Sequence, residues 1–268
     1  MTQMYIFVDS ERPDAYLNAL VHGIMHRDVR GVCFVHIKGL GGAAVHHGVE
    51  GYSARIMTGV QSLLESLSER AEYRFQNGDV VQISSKSKSW SVDRIRDYYS
   101  RARQQLVNYS NKDIEYTHLK QLMKSIAKGA NASICDVSGI RKTYLGDLVA
   151  TGLGEGLLGL YTFEIIDRIN YEEPWRMLIH MLNNSKPLYN YVNILDTPLY
   201  KDYSRLMIVI STWRKLAIIV LVALLTTAVV LTFVFGPDSE VAKNLNLVSQ
   251  IASVISLLMA LFPVLRTY

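Results

Sequence analysis

From Leu216 to Phe235 the chain reads LAIIVLVALLTTAVVLTFVF, twenty residues without a charge. A helix needs about 20 apolar residues to cross a ~30 Å hydrocarbon core. A helix apolar on every side has few places to hide in a domain of modest size. Gly236 and Pro237 end the run, and Asp238 and Glu240 mark a polar turn. A second, less apolar stretch follows from about Leu245 to Leu265. A chain that has crossed a bilayer once and turned so tightly must return, so the sequence predicts a C-terminal two-helix transmembrane hairpin over 214–268. Arg205, Arg214 and Lys215 precede the first span and Arg266 follows the second, whereas the turn carries Lys243 against two acids. The positive-inside bias then puts the N-terminus and the C-terminus in the cytoplasm, with the turn outside.

The second stretch has a polar side. Asn246, Ser249, Gln250, Ser253 and Ser256 recur at steps of three and four, which is one face of a helix. Polar groups facing lipid tails are costly, so that face should meet protein or water. Two readings stand together. The stripe packs helices through small residues and interhelical hydrogen bonds, with Ala223, Thr226 and Thr227 as partners. Or it lines a pore, which two helices cannot enclose alone and which therefore requires several copies. Either reading predicts a homo-oligomer.

Residues 1–170 alternate strand and helix signals. Short apolar runs at 4–10, 30–39, 132–139 and 159–166 read as strands; helical spacing marks 13–27, 51–70, 91–108, 117–129 and 141–156; Asn77-Gly78 centres a hairpin over 71–84. Strands separated by helices of this length predict an α/β domain, a Rossmann-like, mostly parallel sheet with helices on both faces. The N-terminus carries no basic region followed by a long apolar run, so no secretory signal is expected. Cys33 and Cys135 each sit in a short apolar run and read as small buried hydrophobes of a reduced compartment. No metal-ligand spacing is expected of them.

Ligands of parallel sheets settle beyond the carboxyl ends of the strands. Three such ends suit a ligand: Asp9, Ser10, Glu11 and Arg12 after the first strand, Lys38 to Gly48 with Gly41 and Gly42 after the second, and DVSGIRK, Asp136 to Lys142 with Ser138, Arg141 and Lys142, after the third. A helix start rich in Ser, Gly, Arg and Lys can hold a phosphate. The plainer readings are a mobile connection for the glycines and a strand-to-helix turn for DVSG, with Ser138 as its cap. No Ser/His/Asp or metal constellation can be assembled from the spacing, so the sequence predicts a protein that is not an enzyme and has no cofactor.

From Lys86 to Lys128 the chain holds ten cations against four acids, interleaved with Trp90, Tyr98, Tyr99, Tyr109 and Tyr116. That mixture suits a polyanion with stackable bases, or a solvated face beside an anionic leaflet. Residues 171–213, rich in Tyr and broken by Pro174, Pro187 and Pro198, read as a linker or coupling segment between sensor and spans.

The alternating sheet, the strand-end DVSGIRK and the hairpin from LAIIVLVALL to SLLMALF together span the chain. In this architecture it resembles the two-transmembrane effectors of bacterial anti-phage defence, such as CBASS-type and Hailong-type membrane effectors. The resemblance implies a cytoplasmic domain that senses a nucleotide or short oligonucleotide made by a partner nucleotidyltransferase. It further implies a homo-oligomer, with a tetramer favoured, that breaches the bacterial inner membrane as an ion-conducting or membrane-disrupting pore.

Overall fold

The computed structural model describes residues 2–39, 51–75, 77–83, 90–129, 133–166, 172–183, 187–198 and 200–202, together with scattered helical positions between 216 and 234. Two compact units result, residues 1–204 and 205–268.

The first unit is built in the order β1 (Thr2–Val8), α1 (Asp14–Arg27), β2 (Val29–Lys38), α2 (Tyr52–Arg70), β3 (Glu72–Arg74), β4 (Val80–Gln82), α3 (Val92–Gln105), β5 (Asn108–Glu115), α4 (Leu119–Ala127), β6 (Ser133–Asp136), α5 (Lys142–Glu155), β7 (Leu160–Ile165), α6 (Ile179–Leu182) and β8 (Tyr189–Asn193). Six strands form one sheet in the order β5-β2-β1-β6-β7-β8. β8 runs antiparallel to β7 and the other neighbours are parallel. The Rossmann-like expectation holds at this level.

Strand alternation fills two cores. Met4, Ile6 and Val8 of β1 point to one face, against Tyr16, Leu17 and Leu20 of α1, Leu64 and Leu67 of α2, Tyr99 of α3 and Ile179 of α6. Phe7, with Cys33, Val35 and Ile37 of β2, points to the other, against Leu122 and Met123 of α4 and Leu148 of α5. The central strands are buried on both sides, which is why they read as unbroken apolar runs rather than alternations. Both cysteines are free and buried.

Two strands arise where the sequence predicted none. β5 occupies the polar stretch between α3 and α4 and pairs along its whole length with β2, from Gly31↔Asn108 to Lys38↔Glu115. β8 lies inside the segment read as a linker, and its aromatics pin it to β7. Tyr191 stacks on Tyr161 at 5.1 Å and Tyr189 on Phe163 at 4.7 Å between ring centroids. Cross-strand aromatic pairs of this kind stabilise a sheet edge. The predicted hairpin at Asn77-Gly78 is present as β3–β4, with Gly78 at φ 93°.

Among the described residues no helix is long and apolar enough to cross a membrane. The second predicted span, with Asn246, Ser249, Gln250, Ser253 and Ser256, lies outside the described residues. Within the first, Leu216, Ile218, Ile219, Val220, Val222, Val230 and Val234 are helical and exposed. Thr226 donates its hydroxyl to the Val222 carbonyl at 2.7 Å and Thr227 to the Ala223 carbonyl at 2.8 Å. Each hydroxyl thus spends its proton on its own helix and keeps its lone pairs as acceptors.

Candidate functional site

The sheet order gives the site its place. From β1 the chain builds outward on one side through β2 to β5, then returns to add β6 and β7 on the other. At such a switch of direction the loops leaving adjacent strands part, and a crevice opens at their carboxyl ends. Here the loops after β1 and β6 part, and between them lies a cavity of about 570 Å³ lined by Asp9, Ser10, Arg12, Ser138 and Arg141, among others. Four of the predicted site residues, Ser10, Arg12, Ser138 and Arg141, are therefore brought together.

Tyr16 of α1 organises this end of the sheet. Its hydroxyl accepts the backbone N–H groups of Asp9 at 3.0 Å and Ser10 at 2.6 Å and donates to the Ser10 carbonyl at 2.9 Å. A phenol has one proton and two lone pairs to offer, so its capacity is spent on the β1 loop. Burial pushes the phenol well above its ordinary value, so it stays a neutral donor. The two amides that a phosphate could use after β1 are consequently taken. The ring of Tyr16 also explains Gly139: a Cβ there would fall 2.1 Å from Tyr16 Cε1. The glycine in DVSG serves close approach of the turn to an aromatic ring.

Ser138 is a strut. Its hydroxyl donates to Asp136 Oδ2 at 2.9 Å and accepts the Phe163 N–H at 2.7 Å, tying the β6 turn to β7. The residue before α5 is Arg141, with no side-chain cap, so Ser138 does not cap that helix. Asp136 beneath it is fully buried, and burial pushes its carboxyl up to about 6 against the opposing pull of the Ser138 hydroxyl and N–H.

The cations at the crevice are paired. Arg141 Nε meets Asp9 Oδ2 at 2.8 Å, Arg55 Nη2 meets Glu11 Oε1 at 3.3 Å, and Arg12 grips both oxygens of Asp14. Arg12 and Arg141 are 36% and 45% exposed at the side chain, while their partners Asp14 and Asp9 are only 10% and 13% exposed, so each guanidinium meets water on its outer side and each carboxylate stays held beneath it. A guanidinium carries five N–H donors, so a phosphate can add a contact on that outer side while the carboxylate pair stays formed.

The remaining candidates lie elsewhere. Lys38 ends β2 opposite Glu115 and is not among the residues lining the cavity. Lys142 opens α5 and is exposed. Gly41 and Gly42 fall outside the described residues. Two aromatics of the basic segment are core rather than a stacking platform: Trp90 and Tyr99 are buried, and the Tyr99 hydroxyl lies 2.7 Å from His180 Nδ1. Its cations are partly spent, with Arg103 on Glu65 and Glu69 and Arg94 over the Trp90 ring at 4.3 Å. Trp90 and Tyr99 thereby leave the stacking role expected of that segment, while Tyr116 is exposed. Spacing missed Tyr16 as a site residue, because a tyrosine on an apolar helix face reads as core.

No family model matches the chain, and no curated protein matches it. Among solved structures it is similar to Enterococcus italicus Csm6 bound to cyclic hexa-2'-fluoro-hexa-dAMP, at 12% identity and a TM-score of 0.38. The match covers 98% of this chain and 58% of that one, and a TM-score this low assigns no ligand or activity here. The sequence expectation that the protein is not an enzyme is not upheld against this likeness and is withdrawn.

Proposed function

We propose that the α/β unit senses a nucleotide or short oligonucleotide at the crevice between β1 and β6. In this reading occupancy there controls a C-terminal two-pass hairpin in the bacterial inner membrane, assembled from several copies, as the effector of an anti-phage response. The observation that carries the sensing role is the convergence of Arg12 and Arg141 on one cavity at the sheet's switch point, each paired with a carboxylate below and open to solvent above. The exposed apolar helical residues between Leu216 and Val234 support the membrane role. The segment 171–213 suits coupling because β8 within it is a strand of the sensor's own sheet.

Binding of a 5′-phosphorylated linear triadenylate to the full chain in mild detergent, followed by calorimetry, tests the sensing role. Arg141→Glu should weaken binding about tenfold or more, the scale of a lost charge-assisted contact. Binding should also weaken as salt rises. Absence of binding, or binding indifferent to both Arg141→Glu and Arg12→Glu, removes the crevice as the sensor.

A further inference from the structure

Arg12 and Asp14 line a second cavity as well as the first. This one, of about 550 Å³, lies between the start of α1, the middle of α2 and the β3–β4 hairpin. Its size falls within the ~300–1,000 Å³ of small-molecule pockets. One side of it is aromatic. Tyr73 and Phe75 line it, packed edge-to-face at 5.1 Å, with Trp175 behind Phe75 at 5.8 Å, and Pro174 completes that side. Polar groups share the lining: Arg12 and Asp14 pair with each other, and Asn77 hydrogen-bonds Asp79 across the turn. A planar ring with exocyclic donors and acceptors fits such a lining, because the aromatic side chains offer a stacking contact and the polar groups keep further donor and acceptor capacity for the ring's edge. An aliphatic ligand would make no use of the polar groups, and a bare anion would have no use for the aromatic side chains.

The Arg12–Asp14 pair is a wall of both chambers. A nucleotide has the matching layout, with a charged end and a flat end joined by a sugar. We infer that the hairpin cavity is a base subsite, receiving one heterocyclic ring of the ligand while its phosphate lies at Arg12 and Arg141. This inference rests on the sensing role proposed above and adds what the crevice alone does not supply, a means of telling a nucleotide from any other phosphate. The β3–β4 hairpin, only three residues a strand, then acts as the specificity element of the sensor.

The test uses two probes on the full chain, the 5′-phosphorylated triadenylate and an abasic trimer with the same sugar-phosphate backbone. The triadenylate should bind about tenfold tighter or more, the scale of one base–aromatic stack. Phe75→Leu keeps apolar volume but removes a ring, and should bring the triadenylate toward the abasic affinity without changing the latter. Asn77→Ala, on the exposed turn, gives a second variant that leaves the core untouched and should weaken the triadenylate alone. Arg141→Glu should weaken both probes. Equal binding of the two probes, or loss of both on Phe75→Leu in a protein that still melts cooperatively, overturns the base subsite while leaving the phosphate crevice standing. Failure of both probes to bind the unaltered chain overturns the crevice and the subsite together.

Discussion

At the scale of single residues, the crevice is built on groups whose polar capacity is already spent. Tyr16 closes the β1 loop, Ser138 ties β6 to β7, and Asp136 lies buried below them. What remains for a ligand is the outer side of the partly exposed guanidinium layer above. Asp136 has a consequence for stability. Its folded carboxyl titrates at about 6, against ~3.9 in an unfolded chain. The folded protein thus holds this proton more tightly, so its contribution is fully present below about pH 4 and is lost as pH rises through 6. The loss is on the order of 3 kcal/mol. Asp136→Asn should gain stability relative to the unaltered chain across that interval, read as the difference between urea midpoints at pH 4 and pH 7. A difference that stays flat with pH contradicts this account.

At the scale of elements, β5 does more than edge the sheet. α2 begins at Gly51, at φ 78° and with no side chain of its own to cap it. The missing cap comes from the neighbouring strand: Asp113 of β5 accepts the N–H groups of Gly51 at 3.0 Å and Ser53 at 3.2 Å. Burial pushes that carboxyl up, but the hydrogen bonds from Ser53 and Gly51, with His36 nearby, outweigh it and hold it below its ordinary value. Asp113→Ala should cost about 1 kcal/mol, the usual worth of a helix cap. It should also speed hydrogen exchange at the first amides of α2. Unchanged exchange there would show that the cap does not hold the helix start. The strand was invisible in sequence for the same reason that it can serve this way. In NYSNKDIE only Ile114 is buried, so no apolar alternation announces it. β8 was masked differently: Tyr189 and Tyr191 alternate with polar residues, but in a stretch punctuated by prolines that reads as irregular.

At the scale of the whole molecule, the proposal joins a sensor of residues 1–204 to an apolar C-terminal unit. Thr226 and Thr227 donate to their own helix backbone, and the polar stripe expected to line a pore is that of the second stretch. If that stretch lines a pore, Ser253→Leu and Gln250→Leu should each abolish dye release from vesicles containing the full chain while leaving its assembly, measured by crosslinking, intact. Undiminished release from both variants would leave the stripe as helix packing alone.

The sequence by itself determined the elements that bury apolar surface with a clear period: the four inner strands, the five long helices and the uncharged run at Leu216–Phe235. Periodicity reports which way a side chain must face, and that is a local property of the chain. It also marked Ser10, Arg12, Ser138 and Arg141 as strand-end residues. Only the tertiary structure decided that these four share one cavity, because that depends on β6 returning to the far side of β1. Only it showed that Gly139 makes room for a ring 123 positions earlier in the chain, at Tyr16. Trp90 and Tyr99 illustrate the limit from the other side: side by side with cations in sequence, they are core in space. Long-range pairing sets those roles, and pairing is settled by the packing of all the elements at once.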